Sequence, residues 1–448
     1  MASARETALK IVYGVLEEGG YLNIVFQNQL VKQTLSREDR ALVKELSFGV
    51  ITHKITLDFI ISSFSKVKMR KLSPYILNIL RLGVYQLKFM DKIPVSAAVN
   101  ESVKLAKRYG HNASSGFVNA VLRNVARSGA VQYPDREAGL AEHLSVRYSH
   151  PIELVDFYLD TFGQSFAEEL LAANNQTPAI SLRSNPLKTT REALIERLGQ
   201  EGTAAKESGL SEYGVVLEGG SGIEALSAYR EGLFTVQGES SQLAALALAP
   251  APGDTVLDMC AAPGGKTTHI AELMENRGTV WAFDCYEKRL SFVRKAAARL
   301  GIRIIQTKPL DASVFQPEFE GTADKVLLDV PCSGLGIIRK KPDIKYKERL
   351  TDFEDLVTIQ KNILNICSKY LKIEGELVYS TCTVNPAENM GVIEAFLETH
   401  PDFSLVRAAS PKMGAAAAKE LEKGFVTLYP NVHGCDGFFI CKLKRRRG

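Results

Sequence analysis

The sequence predicts three successive fold units: an all-α bundle over residues 1–135, a small α/β module over 140–228, and an open, doubly wound α/β domain over 229–448. Three observations carry that reading. Apolar residues recur at helical spacing through the first 130 positions, as in Ala8, Leu9, Ile11, Val12, Val15 and Leu16. A stretch of turn-formers, Arg127-Ser128-Gly129-Ala130 to Pro134-Asp135, interrupts the pattern and reads as a linker. Beyond Gly232, short β-branched and apolar runs alternate with amphipathic stretches, the signature of strands joined by helices.

The bulk numbers agree. A length of 448 residues exceeds one ordinary core, and 45% hydrophobic with 24% charged residues is a globular composition. No run of eighteen apolar residues is present, so a membrane span is not expected. Arg5, Glu6 and Lys10 interrupt the N-terminal stretch, which argues against a signal peptide. All seven cysteines lie between Cys260 and Cys441 without a CxxC pair, so neither a disulfide framework nor a metal site is expected, and a reducing cytoplasm is the simplest compartment. Net charge is +4 but unevenly placed: residues 1–140 hold 20 Lys and Arg against 11 Asp and Glu. A solvated basic surface accounts for that; so does a module that meets a polyanion.

In the bundle, Ser73-Pro74 starts a helix carrying Ile76, Ile79, Leu80, Val84 and Leu87. Asn112-Ala113-Ser114 precedes a stripe of Phe117, Val118, Val121, Leu122 and Val125. One or two more helices fall in 151–173. The strands Ala179–Arg183 and Val215–Leu217 flank a helix near Arg191–Leu198, which predicts a small RRM-like α/β module; Gly219, Gly220 and Gly222 lead out of it. In the last unit the strands are Thr255–Asp258, Gly278–Asp284, Ile304-Ile305, Lys325–Asp329, Glu376–Ser380 and Asp436–Leu443, with helices at Glu287–Leu300 and Asp355–Leu371. Pro430–Gly434 reads as a turn and Gly414–Lys419 as a surface loop.

Candidate functional residues cluster at strand ends. Asp258 opens the run Cys260-Ala261-Ala262-Pro263-Gly264-Gly265-Lys266-Thr267, where a strand feeds a helix and glycines let the backbone approach a ligand. The spacing is neither that of a Walker A loop nor GxGxxG. Asp284, about 20 residues on, is placed to accept hydrogen bonds from a ribose diol. Asp311 is placed for an adenine amine, against the plainer reading of a loop acid. Cys332 follows Asp329-Val330-Pro331, and Cys382 follows Tyr379-Ser380-Thr381. Lone cysteines are usually core residues, and Cys260, Cys285, Cys367 and Cys441 fit that reading. Two strand-end cysteines beside a ligand crevice fit it poorly. A free thiol ionises near pH ~8.5, so a working thiolate needs help, and Lys266 is a candidate for it. The basic stretches Arg339-Lys340-Lys341 and Lys442 to Arg447 are either solvated charge or phosphate contacts.

On Asp258–Thr267, Asp329–Gly334 and Thr381-Cys382, residues 232–448 resemble the Sun family of RNA cytosine-5 methyltransferases, which have a Rossmann-like class I fold and use S-adenosylmethionine. On Asp39-Arg40, Arg81–Leu87, Ala98–Glu101 and Gly116–Asn124, the N-terminal part resembles the NusB-type RNA-binding helical domain. The bacterial Sun/Fmu 16S rRNA methyltransferases pair these two domains, so the resemblance spans nearly the whole chain. It implies that Cys382 is the nucleophile, that Cys332 assists proton removal and release, and that Asp329 holds the cytosine by its N3 edge. It places Cys260, Ala261, Ala262, Pro263, Gly264, Gly265, Lys266, Asp284, Asp311 and Asp329 at the cofactor, and implies cytosine 967 of 16S rRNA as target. Gly238, Glu153 and Tyr346 depart from the residues common in that family, Asp, Trp and Trp.

The implied chemistry needs two such thiols. Carbon 5 of cytosine is a poor nucleophile until a thiolate has added to carbon 6, and a second group must then take the carbon-5 proton. A tRNA or 23S rRNA methyltransferase, a non-catalytic RNA-binding assembly factor and a nicotinamide enzyme are the rivals. The two cysteines and the Gly-rich run argue against the last two, and only the NusB-like part favours 16S rRNA. A monomer is the default expectation.

Overall fold

In the computed structural model, residues 3–219, 222–347 and 352–447 are described, and Gly220 of the expected glycine exit lies outside them. The chain divides into two units, Met1–Gln176 with Ile338–Leu350, and Thr177–Ile337 with Thr351–Gly448.

The first unit is helical. The helix Pro74–Phe89 runs through its core, with Ile76, Ile79, Leu80, Leu82 and Val84 buried. Its start is built as the residues dictate: Ser73 Oγ accepts from Ile76 N and Pro74 occupies the first turn, where its missing N–H costs nothing. Gly83 lets the helix Asn112–Arg127 approach; a Cβ there would meet Leu122 Cδ1 at 2.6 Å. The helices Leu140–Tyr148, Ile152–Phe162 and Gln164–Asn174 complete the unit. Residues 338–347 also belong here. Lys345, fully buried, donates to Thr52 O and Ser149 O at 2.8 Å each and to Asn175 Oδ1 at 3.3 Å, and Asp343 Oδ2 accepts from Leu22 N. Tyr346 packs in the same core, with the Lys54 ammonium 4.7 Å from its ring centre.

The second unit holds two sheets. The smaller contains β1 (Ser181–Ser184), β2 (Ala205–Glu207), β3 (Gly214–Leu217) and β4 (Phe234–Val236). All pairs are antiparallel and the order is β2-β3-β1-β4. With the helices Arg191–Gln200 and Ser227–Arg230 this is a βαββαβ, ferredoxin-like arrangement around Leu182, Leu194, Leu198, Val215 and Phe234.

The larger sheet contains β5 (Thr255–Asp258), β6 (Thr279–Asp284), β7 (Ile305–Pro309), β8 (Ala323–Asp329), β9 (Leu371–Thr381), β10 (Phe403–Leu405), β11 (Phe425–Leu428) and β12 (Phe438–Arg445). Its order is β10-β12-β9-β8-β5-β6-β7, with β11 also paired to β12. Strands β5 to β9 are parallel; β10, β11 and β12 join antiparallel. Sequence order reverses between β5 and β8, so the crevice of this Rossmann-like sheet opens at their carboxyl ends. Two expectations are corrected. Gly414–Lys419 is not a loop but the start of a helix, Ala415–Glu420, because an alanine run is a strong helix former and Ala417 and Leu421 find a core to pack on. Pro430–Gly434 holds one helical turn, Pro430–His433, ended by Gly434 at φ 67°.

Candidate active site

Five parallel strands deliver their last residues to one edge. β5 ends in Asp258, which accepts from Thr267 Oγ1 at 2.7 Å and is fully enclosed. Burial pushes its carboxyl up to about 7. Its Oδ1 is buried with no protein partner among the described residues. The chain then makes a tight turn, with Ala261 N donating to Phe283 O and Gly264 N to Ala261 O. Gly264 adopts φ 105° and caps the helix Gly265–Leu273; a Cβ there would lie 3.1 Å from Val293 Cα. Cys260 is half-buried, and burial holds its thiol well above the ordinary value.

β6 ends in Asp284, whose Oδ1 accepts from Tyr286 N at 3.0 Å and whose Oδ2 stands 3.2 Å from Arg289 Nη1. Arg289 Nη2 also donates to Ala262 O, so one guanidinium ties the strand-end acid to the Gly-rich turn. Asp311, two residues beyond β7, is exposed, and its Oδ1 accepts from Ser313 N and Oγ in a local turn.

β8 ends in Asp329. Lys266 Nζ lies 2.6 Å from its Oδ2 and Ser380 Oγ donates to its Oδ1 at 2.9 Å. Lys266 also sits 5.0 Å over the Phe438 ring. Its ammonium is thus paired with a carboxylate, whereas the sequence suggested it as the cation beside a thiol.

The two strand-end cysteines meet. Cys332 Sγ and Cys382 Sγ are 3.2 Å apart and both half-buried, and Cys382 N donates to Cys332 Sγ at 3.3 Å. Adjacency of β8 and β9, with Asp329 opposite Ser380, brings them together. The hydrogen bond to Cys382, then burial, holds the Cys332 thiol well above its ordinary range. Of the other five cysteines, Cys367, Cys435 and Cys441 are core residues, Cys260 is half-buried, and Cys285, against the core reading, is exposed. Among the described residues no group of His, Cys, Asp and Glu could hold a metal ion, and no helix is long and apolar enough to cross a membrane.

The chain is similar to known proteins along nearly its whole length. The 16S rRNA methyltransferase RsmB/F family matches residues 245–444, the NusB family residues 2–127, and the ferredoxin-like domain of RsmF/B-like methyltransferases residues 150–224. The "Probable ribosomal RNA small subunit methyltransferase B" of Bacillus subtilis (strain 168) is 36% identical over 445 residues, 99% of each chain. The chain belongs to the 16S rRNA methyltransferase RsmB/F family. The crystal structure of PH0851 has a TM-score of 0.81 at 27% identity and covers 98% of both chains. NSun6 from Pyrococcus horikoshii, solved with SFG, has a TM-score of 0.58 at 25% identity, covering 66% of this chain and 99% of its own.

The RsmB/F chain is therefore a methyltransferase with a NusB-like helical N-terminus, a ferredoxin-like module and a Rossmann-like catalytic domain. Two of its site residues escaped the sequence reading. Glu388, fully buried, accepts from both cysteine-bearing loops. Arg183, fully buried on β1, pairs with Glu272 through Nε and Nη2 at 2.8 and 2.9 Å, and its Nη1 donates to Gly265 O at 2.6 Å and to Gln237. The only hint for either was a charged residue inside an otherwise uncharged stretch.

Proposed function

We propose that this RsmB/F-family methyltransferase uses S-adenosylmethionine to methylate carbon 5 of a cytosine in 16S rRNA, at cytosine 967, with Cys382 as nucleophile and Cys332 as the group that assists release. The observation that carries it is the 3.2 Å contact between two thiols at adjacent strand ends, beside Asp329. The residues at the cleft fit the cofactor. Asp284 offers carboxylate oxygens to a ribose diol, the Gly264-Gly265 turn gives close backbone approach, and the unpartnered Asp258 Oδ1 suits a donor. Asp311 keeps Oδ2 for an amine, and NSun6 was solved with SFG. When bound, the cofactor supplies an electrophilic methyl group.

The protein's own part follows from the contacts. The two thiols share a hydrogen bond, and it and burial hold Cys332 well above its ordinary range, which favours Cys382 as the sulfur that ionises and adds to carbon 6. Asp329, oriented by Lys266 and Ser380, faces the ring nitrogen where charge changes during addition. Carbon 5, now enamine-like, takes up the methyl group. Once the Cys382 sulfur is bonded to carbon, Cys332 no longer shares its proton with a second ionisable thiol. It loses that proton to solvent, takes the one on carbon 5, and Cys382 departs. The basic helical unit contributes RNA affinity, in a cytoplasmic, reducing setting where the thiols persist, and the protein works as a monomer.

Cys332→Ala incubated with unmethylated 16S rRNA and S-adenosylmethionine should give a covalent protein–RNA band on a denaturing gel, lost when Cys382 is also replaced. Mapping the trapped base tests the nucleotide. An active wild type with no band in Cys332→Ala would reverse or remove the cysteine roles; an inactive wild type would move the substrate to another RNA, tRNA first.

A further inference from the structure

Six residues after Cys382, a carboxyl group with no place in the chemistry above is enclosed by donors. Glu388 Oε2 accepts from Ser333 N at 2.9 Å and Gln360 Nε2 at 3.0 Å, and its Oε1 accepts from Asn385 Nδ2 at 3.0 Å and from Ser333 Oγ. Ser333 follows Cys332, and Gln360 Nε2 also donates to Pro331 O at 2.9 Å, so one side of the carboxyl grips the loop that carries Cys332. On the other side Thr383, next to Cys382, shares its hydroxyl with Ser333 Oγ at 2.8 Å, and Asn385 anchors the loop that carries Cys382. The neighbouring Asn389 brackets Cys382, accepting from Thr381 Oγ1 at 2.6 Å and donating to Thr383 O at 3.1 Å. Glu388 itself is pinned by Tyr379 Oη, which donates to its carbonyl at 2.7 Å.

Every side-chain contact presents a donor, and an enclosed acceptor with that many donors belongs to a framework built to fix geometry. Strand pairing of β8 with β9 brings the two loops side by side but ends at Asp329 and Ser380. Beyond it the backbone bonds Val330 N to Ser380 O at 3.1 Å and Gly336 N to Cys382 O at 3.0 Å join them, and the Glu388 carboxyl adds the side-chain link between the residues next to each cysteine. We propose that Glu388 is the positioning residue that holds the Cys332 and Cys382 loops together and so sets the thiol-to-thiol distance on which the two-cysteine reaction depends. This rests on the cysteine roles proposed above.

Glu388→Gln keeps the shape but turns one acceptor into a donor, so in either amide orientation at least one donor pair, Ser333 N with Gln360 Nε2 or Ser333 Oγ with Asn385 Nδ2, faces an N–H. Its kcat on 16S rRNA should fall about a hundredfold, the loss expected for a reacting group displaced by roughly 1 Å, with S-adenosylmethionine affinity and KM little changed. Ser333→Ala, which removes one contact, should fall in the same direction by less and serves if Glu388→Gln fails to fold. A kcat within about threefold of wild type in folded Glu388→Gln overturns the proposal. A second readout needs no RNA. Oxidised glutathione should couple Cys332 to Cys382, two thiols losing their hydrogens as one glutathione disulfide becomes two glutathiones, and peptide mapping identifies the bond. Corrected for each thiol's own alkylation rate, coupling should be at least about tenfold slower in Glu388→Gln. Equal rates, or no coupling in the wild type, overturn the proposal. An inactive wild type whose coupling still depends on Glu388 instead faults the substrate assignment alone.

Discussion

Lys266 Nζ stands 2.6 Å from Asp329 Oδ2, joining the helix that follows the Gly-rich turn to the end of β8. With Ser380 on the other oxygen, the carboxylate has one orientation, and Lys266 has a partner that uses its charge. Removing either member should cost about a hundredfold or more in kcat, the scale seen when an oriented electrostatic group is lost. Lys266→Met and Asp329→Asn act on one unit, so the double variant should be no worse than the poorer single. Single-turnover methyl transfer measures this, and fully additive losses would show that the pair does not act together.

The contact between the thiols makes a prediction that needs no RNA. The hydrogen bond to Cys382 is the largest cause holding up the Cys332 thiol. Cys382→Ala removes that partner, so Cys332 should be alkylated faster by iodoacetamide at pH 8 in the variant than in the wild type. Mass spectrometry of the modified peptide gives the rate. An unchanged or slower rate would mean that burial alone controls Cys332.

These residues were readable from the sequence to different depths, for physical reasons. Asp258, Asp284, Asp329, Cys332 and Cys382 stand at the ends of buried parallel strands, where a run of apolar residues stops at a polar one. That contrast is visible in one dimension. Arg183 and Glu272 are 89 positions apart, and Glu388 reaches Ser333 across 55; neither pairing leaves a periodic trace. The strands β2, β4 and β10 have three residues each, too few for alternation to register. Arg339-Lys340-Lys341 read as a basic stretch beside the reactive centre because its charges are consecutive; nothing in that run shows that the segment belongs to the helical unit, where Lys345 is buried on carbonyl acceptors.

Arg183 and Glu272 form a fully enclosed ion pair. Breaking it in Arg183→Met should cost about 3–5 kcal/mol, because Glu272 is left as an unpaired buried charge. Arg183→Met with Glu272→Leu should recover most of that stability. The double variant should still bind S-adenosylmethionine more weakly than wild type, because it lacks the donation from Arg183 Nη1 to Gly265 O in the Gly-rich turn. Urea unfolding and calorimetric binding separate the two effects; wild-type affinity in the double variant would remove Arg183 from the cofactor site.

Asp258 and His269 set opposing pH dependences in one unit. His269 is fully buried, with neither ring nitrogen hydrogen-bonded among the described residues, and burial, then Arg183 and Lys412, hold it well below its ordinary value. Its contribution is present above the unfolded value near pH ~6.5 and is lost as pH falls, by about 1.4 kcal/mol per pH unit. Asp258 has the reverse sign: raised to about 7, its contribution is full below the unfolded value and is lost as pH rises through about 7. The two slopes oppose each other between about pH 4 and 6.5. Asp258→Asn should therefore stabilise the unit at pH 8, leave it unchanged near pH 4, and steepen its loss on acidification. Trp281, the single tryptophan, lies in this unit and reports its unfolding by fluorescence. A pH-independent difference between variant and wild type would show that Asp258 titrates as an ordinary carboxyl.

The helical unit carries its charge in a place suited to a polyanion. Lys66, Lys68, Arg70 and Lys71 are all exposed in the connection between the helices Lys54–Phe64 and Pro74–Phe89, and none has a carboxylate partner among the described residues. Cations held in neighbouring positions on a short turn can meet successive phosphates without reading bases. Replacing all four by alanine should weaken RNA binding equally for methylatable and unrelated sequences. The slope of log affinity against log salt should become shallower by about three, since each lost phosphate contact removes roughly 0.7–0.9. Filter binding across a salt series measures it. An unchanged slope would mean that these cations face only solvent, and the RNA contact would have to be sought on another face of the helical unit.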